Sequence, residues 1–320
     1  MMYRFIDLFA GIGGFHLALH RLGAECVFAS EIDAAARTTY RANHSKLSPA
    51  LFEEELRPGD LFSGSRFNDD IRTVEPTAVP DHDILCAGFP CQPFSQAGHK
   101  LGFQDAANDR GNMFFILSRI IAAKRPRAIF LENVRHLVKH DDGATMKTIM
   151  RVLQDDLQYV VTPKIVKASD YGLPQHRPRI FLVGFRKEDQ YAAPFVFPPS
   201  IPLKFTMSDV WNGHCDRDVG FTLRVGGRSS NINDRRNWDH YRVNGEVRQL
   251  GAVEGAKMMG FPDDFVFPVP KTQAMKQLGN SVAVDAVQAV AARIIKRLDS
   301  TTIPKSGTDR ERGGGCDEQG

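Results

Sequence analysis

A chain of 320 residues with 42% hydrophobic and 25% charged residues has the composition of an ordinary globular protein, long enough for one large core with or without a smaller satellite. Its net charge of +3 is too small to mark a nucleic-acid binder by itself, and the lack of a long uninterrupted apolar run argues against a membrane helix. Five scattered cysteines (26, 86, 91, 215 and 316), none in a C-x-x-C pair, exclude a zinc site of the usual spacing and fit a reducing cytosol. The first residues, Met1 to Asp7, show no basic region followed by an apolar block, so no signal peptide is expected.

Residues 3–9 read as a short aromatic strand, followed by the glycine turn Ala10-Gly11-Ile12-Gly13-Gly14. Phe15, Ala18, Leu19 and Leu22 recur at helical spacing up to Gly23, and 26–30 read as a second strand closed by Glu31-Ile32-Asp33. This βαβ opening, with glycines at the strand-to-helix turn and an acid twenty residues after Gly11, suits an adenosine-containing ligand. His16 stands where a dinucleotide fingerprint has its third glycine, which favours a single adenosyl group. Residues 45–68 are polar and look like an inserted helix and loops. Strands are then predicted at 82–87, 127–131, 159–167 and 179–185, with helices at about 112–123 and 144–157 between them. The alternation predicts a doubly wound, Rossmann-like α/β domain.

After about 188 the texture changes to clustered prolines, then glycine, arginine and asparagine with little periodicity. A domain boundary is expected there, with a small irregular domain over 189–271 and the first domain, 1–188, resumed over 272–299 by an amphipathic helix at 282–298. Residues 300–320 are polar and glycine-rich, and are expected to be a disordered tail. Between Arg224 and Arg248, six arginines (224, 228, 235, 236, 242, 248) face Asp234, Asp239 and Glu246, a local excess of three positive charges.

The apolar run Ile84-Leu85-Cys86-Ala87 leads into Gly88-Phe89-Pro90-Cys91-Gln92-Pro93-Phe94-Ser95. Pro90 and Pro93 fix φ and stiffen the loop, so Cys91 is held at the mouth of a strand, where a nucleophile rather than a core cysteine is expected. Two further reactive groups stand at strand ends. Glu132 closes one strand, and Arg177 and Arg179 share one face of another.

In order, DLFAGIGGF (7–15), EID (31–33), DI (70–71), GFPCQPFS (88–95), RGNMFF (110–115), ENV (132–134), YGLPQHRPR (171–179), GFPDDF (260–265) and QLGNSV (277–282) resemble the DNA cytosine-5 methyltransferases of bacterial restriction–modification systems, over roughly residues 4–296. The resemblance implies transfer of a methyl group from S-adenosylmethionine to C5 of a cytosine flipped out of double-stranded DNA, with no metal. Cys91 would add to C6, Glu132 would hold and protonate N3, and Arg179 with Arg177 would neutralise charge at O2. Phe9, Gly11, Gly13, Glu31, Ile32, Asp70, Ile71, Pro90, Met113, Asn280 and Ser281 would hold the cofactor, and Gln92, Ser95, Thr222, Arg224, Arg228, Arg235 and Arg236 would contact DNA. The resemblance also implies a cytoplasmic monomer, with a cognate restriction endonuclease as genetic partner only.

Three departures stand out. The gap from Glu31 to Asp70 is long, and Asp60 is a rival for the adenine contact, although Asp70 leads into the catalytic strand in the family's manner. Met113 replaces a usual leucine, and Gly251 stands where threonine is common. Two neighbouring readings are weaker. A tRNA cytosine-5 methyltransferase would carry Cys-Phe-Thr where this chain has Gly220-Phe221-Thr222, and a silent DNA-binding relative would have lost Cys91, Glu132 or Arg179.

Overall fold

In the computed structural model, residues 2–53, 66–90, 112–189, 194–226 and 230–300 are described, and the expected tail beyond 300 lies outside them. Their centre is a seven-stranded sheet in the order β3-β2-β1-β4-β5-β7-β6. The strands are β1 (Arg4–Leu8), β2 (Glu25–Ser30), β3 (Phe67–Asn68), β4 (Ile84–Gly88), β5 (Ala128–Val134), β6 (Tyr159–Lys167) and β7 (Pro178–Arg186). β1 to β5 run parallel, whereas β7 lies antiparallel between β5 and β6.

Apolar residues fill both faces of the central strands because both are covered. Phe5, Cys86 and Phe130 point to one core, and Ile6, Leu8, Leu85, Ala87, Ile129 and Leu131 to the other. Helices α1 (Gly14–His20) and α2 (Ala34–His44) follow β1 and β2, and α3 (Met113–Lys124) and α4 (Ala144–Arg151) flank β5. The expected helix over 144–157 is α-helical only to Arg151 and continues as a π turn, Val152–Asp156.

The region expected to be irregular contains more regular structure than its composition suggested. α5 (Met207–Trp211), a β8–β9 hairpin (His240–Val243 and Glu246–Gln249), α6 (Ala252–Met259) and α7 (Lys271–Asn280) all lie there or at its edge. The hairpin turns on Asn244-Gly245, both at positive φ, the pair that a two-residue turn requires. α8 (Val284–Asp299) packs against α1 with Val284, Val287, Ala291, Ile294 and Leu298 on one buried stripe. Together α7 and α8 are long and apolar enough to cross a bilayer, but 61% of their most apolar 18-residue window is buried within the fold, as core helices are.

β1 connects outward to β2 while β4 leads the other way, so the sheet order reverses between β1 and β4. A crevice opens outside the carboxyl ends of these strands, where open α/β sheets bind ligands.

Candidate active site

The crevice holds a cavity of about 550 Å³. Phe9, just after β1, is in the left-handed region (φ 57), a conformation few non-glycine residues adopt, and Gly11 (φ 58) follows with open space where a side chain would stand. Phe9, Gly11, Glu31, Ile32, Asp70, Ile71, Pro90, Met113 and Asn280 line the cavity, nine of the eleven residues expected to hold the cofactor. Gly13 and Ser281 do not line it. Gly13 (φ 84) backs the turn so tightly that an added Cβ would lie 2.1 Å from His44 Nε2, and His44 in turn reaches the Ile12 carbonyl at 3.0 Å. The Ser281 side chain is buried, and its carbonyl accepts from Arg177.

Glu31 has each oxygen fixed by a backbone amide, Oε2 by Gly11 N (2.8 Å) and Oε1 by Asp33 N (2.7 Å). Burial pushes its pKa up against these two donors. One lone pair per oxygen remains for a ligand hydroxyl. Ile32 is 62% exposed at the wall, an apolar surface offered to a ligand rather than to the core. Asp70 caps the turn after it and holds Arg72 in a fork, with Arg72 Nη2 2.6 Å from Oδ2, which keeps its carboxyl below the usual range. Asp60 lies outside the described residues.

Several wall residues were given no role by the sequence. Lys276 and Gln277 of α7 line the cavity, as does Asp33, which caps α2 and accepts from Lys276 Nζ at 2.9 Å. The ion pair ties the two ends of the chain across the cavity. Asp33 lies in the Glu31-Ile32-Asp33 string, and Lys276 precedes and Gln277 opens the Gln277-to-Val282 string, which flagged Asn280 and Ser281.

At the other end of the cavity, Glu132 stands on β5 with Gly88 of β4 as its register partner. Its carboxylate accepts from Arg179 Nε at 2.9 Å, and burial raises its pKa despite Arg179 and Arg177. Asn133 donates to the Phe89 carbonyl at 2.8 Å, fixing the chain just before Pro90. Cys91, Gln92 and Ser95 lie outside the described residues, as does Arg228.

Gln175, Arg177 and Arg179 alternate along the chain and do different work. Arg179 holds Glu132. Arg177 is fully buried and donates to the carbonyls of Leu223 (3.3 Å), Gly279 (2.9 Å) and Ser281. Gln175 Oε1 accepts from Leu223 N at 3.1 Å.

Arg179 also lines a second cleft of about 560 Å³, with Arg135, His136, Val138, Lys139, Ile165, Pro178, Thr222 and Arg224. Among the described residues no carboxylate lines it, so the cleft is basic. Thr222 and Arg224 were expected at a nucleic-acid surface, and Arg135 and Lys139 in the turn after β5 were not. Arg235 is exposed, and Arg236 is forked onto Asp234 (2.8 Å). Trp238 and Tyr241, in the same arginine-rich stretch, are packing residues. Both are buried, with the indole donating to Gly226 O (3.1 Å) and the phenol oxygen accepting from Phe221 N (2.9 Å).

The chain is 39% identical over 333 residues to Type II methyltransferase M.DsaV of Dactylococcopsis salina, covering 94% of this chain and 88% of that protein. It is also 39% identical over 331 residues to Type II methyltransferase M.SsoII of Shigella sonnei, covering 93% and 81%. Among solved structures, that of Spodoptera frugiperda DNMT2 shares the fold with a TM-score of 0.66 at 17% identity, covering 92% of this chain and 99% of that one. The family model for C-5 cytosine-specific DNA methylase matches residues 3–212 and 212–296. By that match over most of its length and by these relatives, the chain belongs to the C-5 cytosine-specific DNA methylase family.

Proposed function

We propose that this chain is a site-specific DNA cytosine-5 methyltransferase of the restriction–modification type, acting on a cytosine flipped out of the duplex. The observation that carries the reading is the position of Arg179, which pairs with Glu132 and lines both the cavity and the basic cleft. A base leaving a duplex in the cleft would meet this pair beside the cavity.

S-adenosylmethionine fits the groups that line the cavity. The Glu31 carboxylate keeps lone pairs for ribose hydroxyls, Ile32 and Ile71 offer flat apolar contact for adenine, and the bare Gly11 lets the ligand approach the backbone. When bound, the cofactor supplies the electrophilic methyl group. The chain's own residues prepare the acceptor. The Cys91 thiolate adds to C6, the electron pair moves toward N3, and Glu132, protonated more readily because it is buried, donates a hydrogen bond or proton to N3. Arg179 balances charge developing at the ring's O2. Once C5 is substituted, loss of its proton returns electrons to the ring and expels Cys91.

The same reading makes residues 189–271 the target-recognition domain and 1–188 with 272–299 the catalytic domain, in a cytoplasmic monomer whose endonuclease is a genetic partner. The test is bisulfite sequencing of host DNA after expression, beside a Cys91→Ala control. Methylcytosine in one recurring sequence context, absent from the control, is the expected result. Methylation that persists in the control, or appears only in RNA, overturns the reading. A duplex with 5-fluorocytosine at the target should leave a covalent complex with the Cys91 protein, because fluorine cannot leave as the C5 proton does.

A further inference from the structure

Gly279 stands where the two sites touch. It belongs to α7, is buried, and lines the cofactor cavity. On its other side the chain of the basic cleft passes so close that an added Cβ would lie 2.7 Å from Arg224 C, 2.8 Å from Arg224 O and 2.9 Å from Val225 N. These are backbone atoms, which cannot swing aside as a flexible side chain can. The same stretch is held from two further directions, Leu223 N by Gln175 and Leu223 O by Arg177, while Arg177 also holds the Gly279 carbonyl. Leu223 is buried and Arg224 is exposed in the cleft. The main chain of 223–225 is therefore fixed by its neighbours, while the Arg224 side chain can extend toward a ligand.

We propose that Gly279 and Arg177 are positioning residues for DNA recognition, seating the Leu223–Val225 backbone so that Arg224 stands at a set place in the basic cleft. The inference rests on the DNA reading of that cleft. Neither residue needs to touch DNA. Because Gly279 also forms cavity wall, a ligand pressing on that wall and a duplex gripped by Arg224 act on one rigid joint, and each should favour the other's binding reciprocally.

The test is a double-mutant cycle between Gly279→Ala and Arg224→Ala, read as duplex affinity at fixed salt on a fluorescent duplex carrying the sequence context methylated in the host. Gly279→Ala should weaken binding by about tenfold, the scale of one arginine's grip on a base. In the Arg224→Ala background the same change should cost less than about twofold, because a displaced backbone then has no arginine to misplace. A merely destabilising substitution would lower affinity equally in both backgrounds, and that additive result overturns the proposal, as does full affinity in Gly279→Ala alone. If Gly279→Ala does not fold, Arg177→Lys enters the same cycle with the same expectations, since lysine keeps the charge and loses the fork that spans Leu223 and Gly279. A wild-type protein that fails to bind the duplex overturns the DNA reading itself, which separates the two failures.

Discussion

Arg179 faces Val134 in the register of β7 on β5, and its side chain reaches back two residues along the partner strand to put Nε 2.9 Å from Glu132 Oε1. Diagonal neighbours on one face of a sheet are within reach of a long side chain, so the pair follows from strand register rather than from loop geometry. A carboxylate held this way keeps its position while its proton comes and goes. Glu132→Gln should preserve shape and remove the proton donor, lowering single-turnover methyl transfer by about 10²- to 10⁴-fold. Retention of more than a tenth of the rate would refute the role given to Glu132.

The basic turn after β5 should contribute to affinity and little to sequence choice. Arg135→Ala and Lys139→Ala are each expected to weaken duplex binding and to reduce the slope of log affinity against log salt by about one for every phosphate left without its cation. A salt titration with each variant checks this. Unchanged slopes would move the duplex out of the cleft.

Gly13→Ala should destabilise the fold. The residue has φ 84, and the new methyl would overlap the His44 ring. Strain and overlap together should cost more than about 2 kcal/mol in urea unfolding. His44→Ala would restore part of that loss, because it removes the overlap and leaves the φ strain. A Gly13→Ala protein as stable as wild type would contradict the packing described.

Acid should weaken the protein through its buried histidines. Burial pulls His44 and His82 down to about 4 and lowers His16 as well, so all three are neutral when folded. Unfolded, they take up protons below an ordinary value near 6.5. The stability from His44 and His82 is therefore full above about pH 6.5 and is lost as the pH falls toward 4, by about 2 kcal/mol for each of these two at pH 5, and His16 acts in the same direction. Asp7, Glu31 and Glu132, raised by burial, act in the opposite sense, since their folded forms hold protons more readily than the unfolded chain. The histidine contribution is isolated by His82→Gln, which should flatten the decline of the unfolding midpoint between pH 7 and 5. An unaltered slope would show that His82 does not titrate on unfolding.

The parallel core of the fold was legible because its strands are short apolar runs and its long helices carry clean stripes. Tyr159–Lys167 appears where the pattern put it, and β5 runs on through Glu132 and Asn133, which polarity alone had read as its end. α2 was missed because it turns Thr39, Tyr40 and His44 inward, and their polar atoms hide its helical period. The β8–β9 hairpin was not read, although Asn244-Gly245 marks its turn, because it lies in an arginine-rich stretch whose strands show no strict alternation. In the site, motif residues with a bare turn or a strand-end charge were readable. The roles of Gly13 and Arg177 were not, because a sequence shows neither an imidazole pressed on a Cα nor three carbonyls gathered around one guanidinium.

The cavity draws one wall from Phe9 to Ile12 and another from Lys276 to Asn280, and α8 comes back from the far end of the fold to cover α1. Pairings between segments so distant along the chain form slowly, since a long loop must close before any of them is rewarded. During translation, the first half of the sheet should leave the ribosome well before α7 and α8 exist. Until then α1 keeps an uncovered apolar side, and the Arg177 guanidinium lacks two of its three carbonyls. The growing polypeptide therefore passes through an aggregation-prone interval in which it has most of its strands while its cavity still lacks one wall.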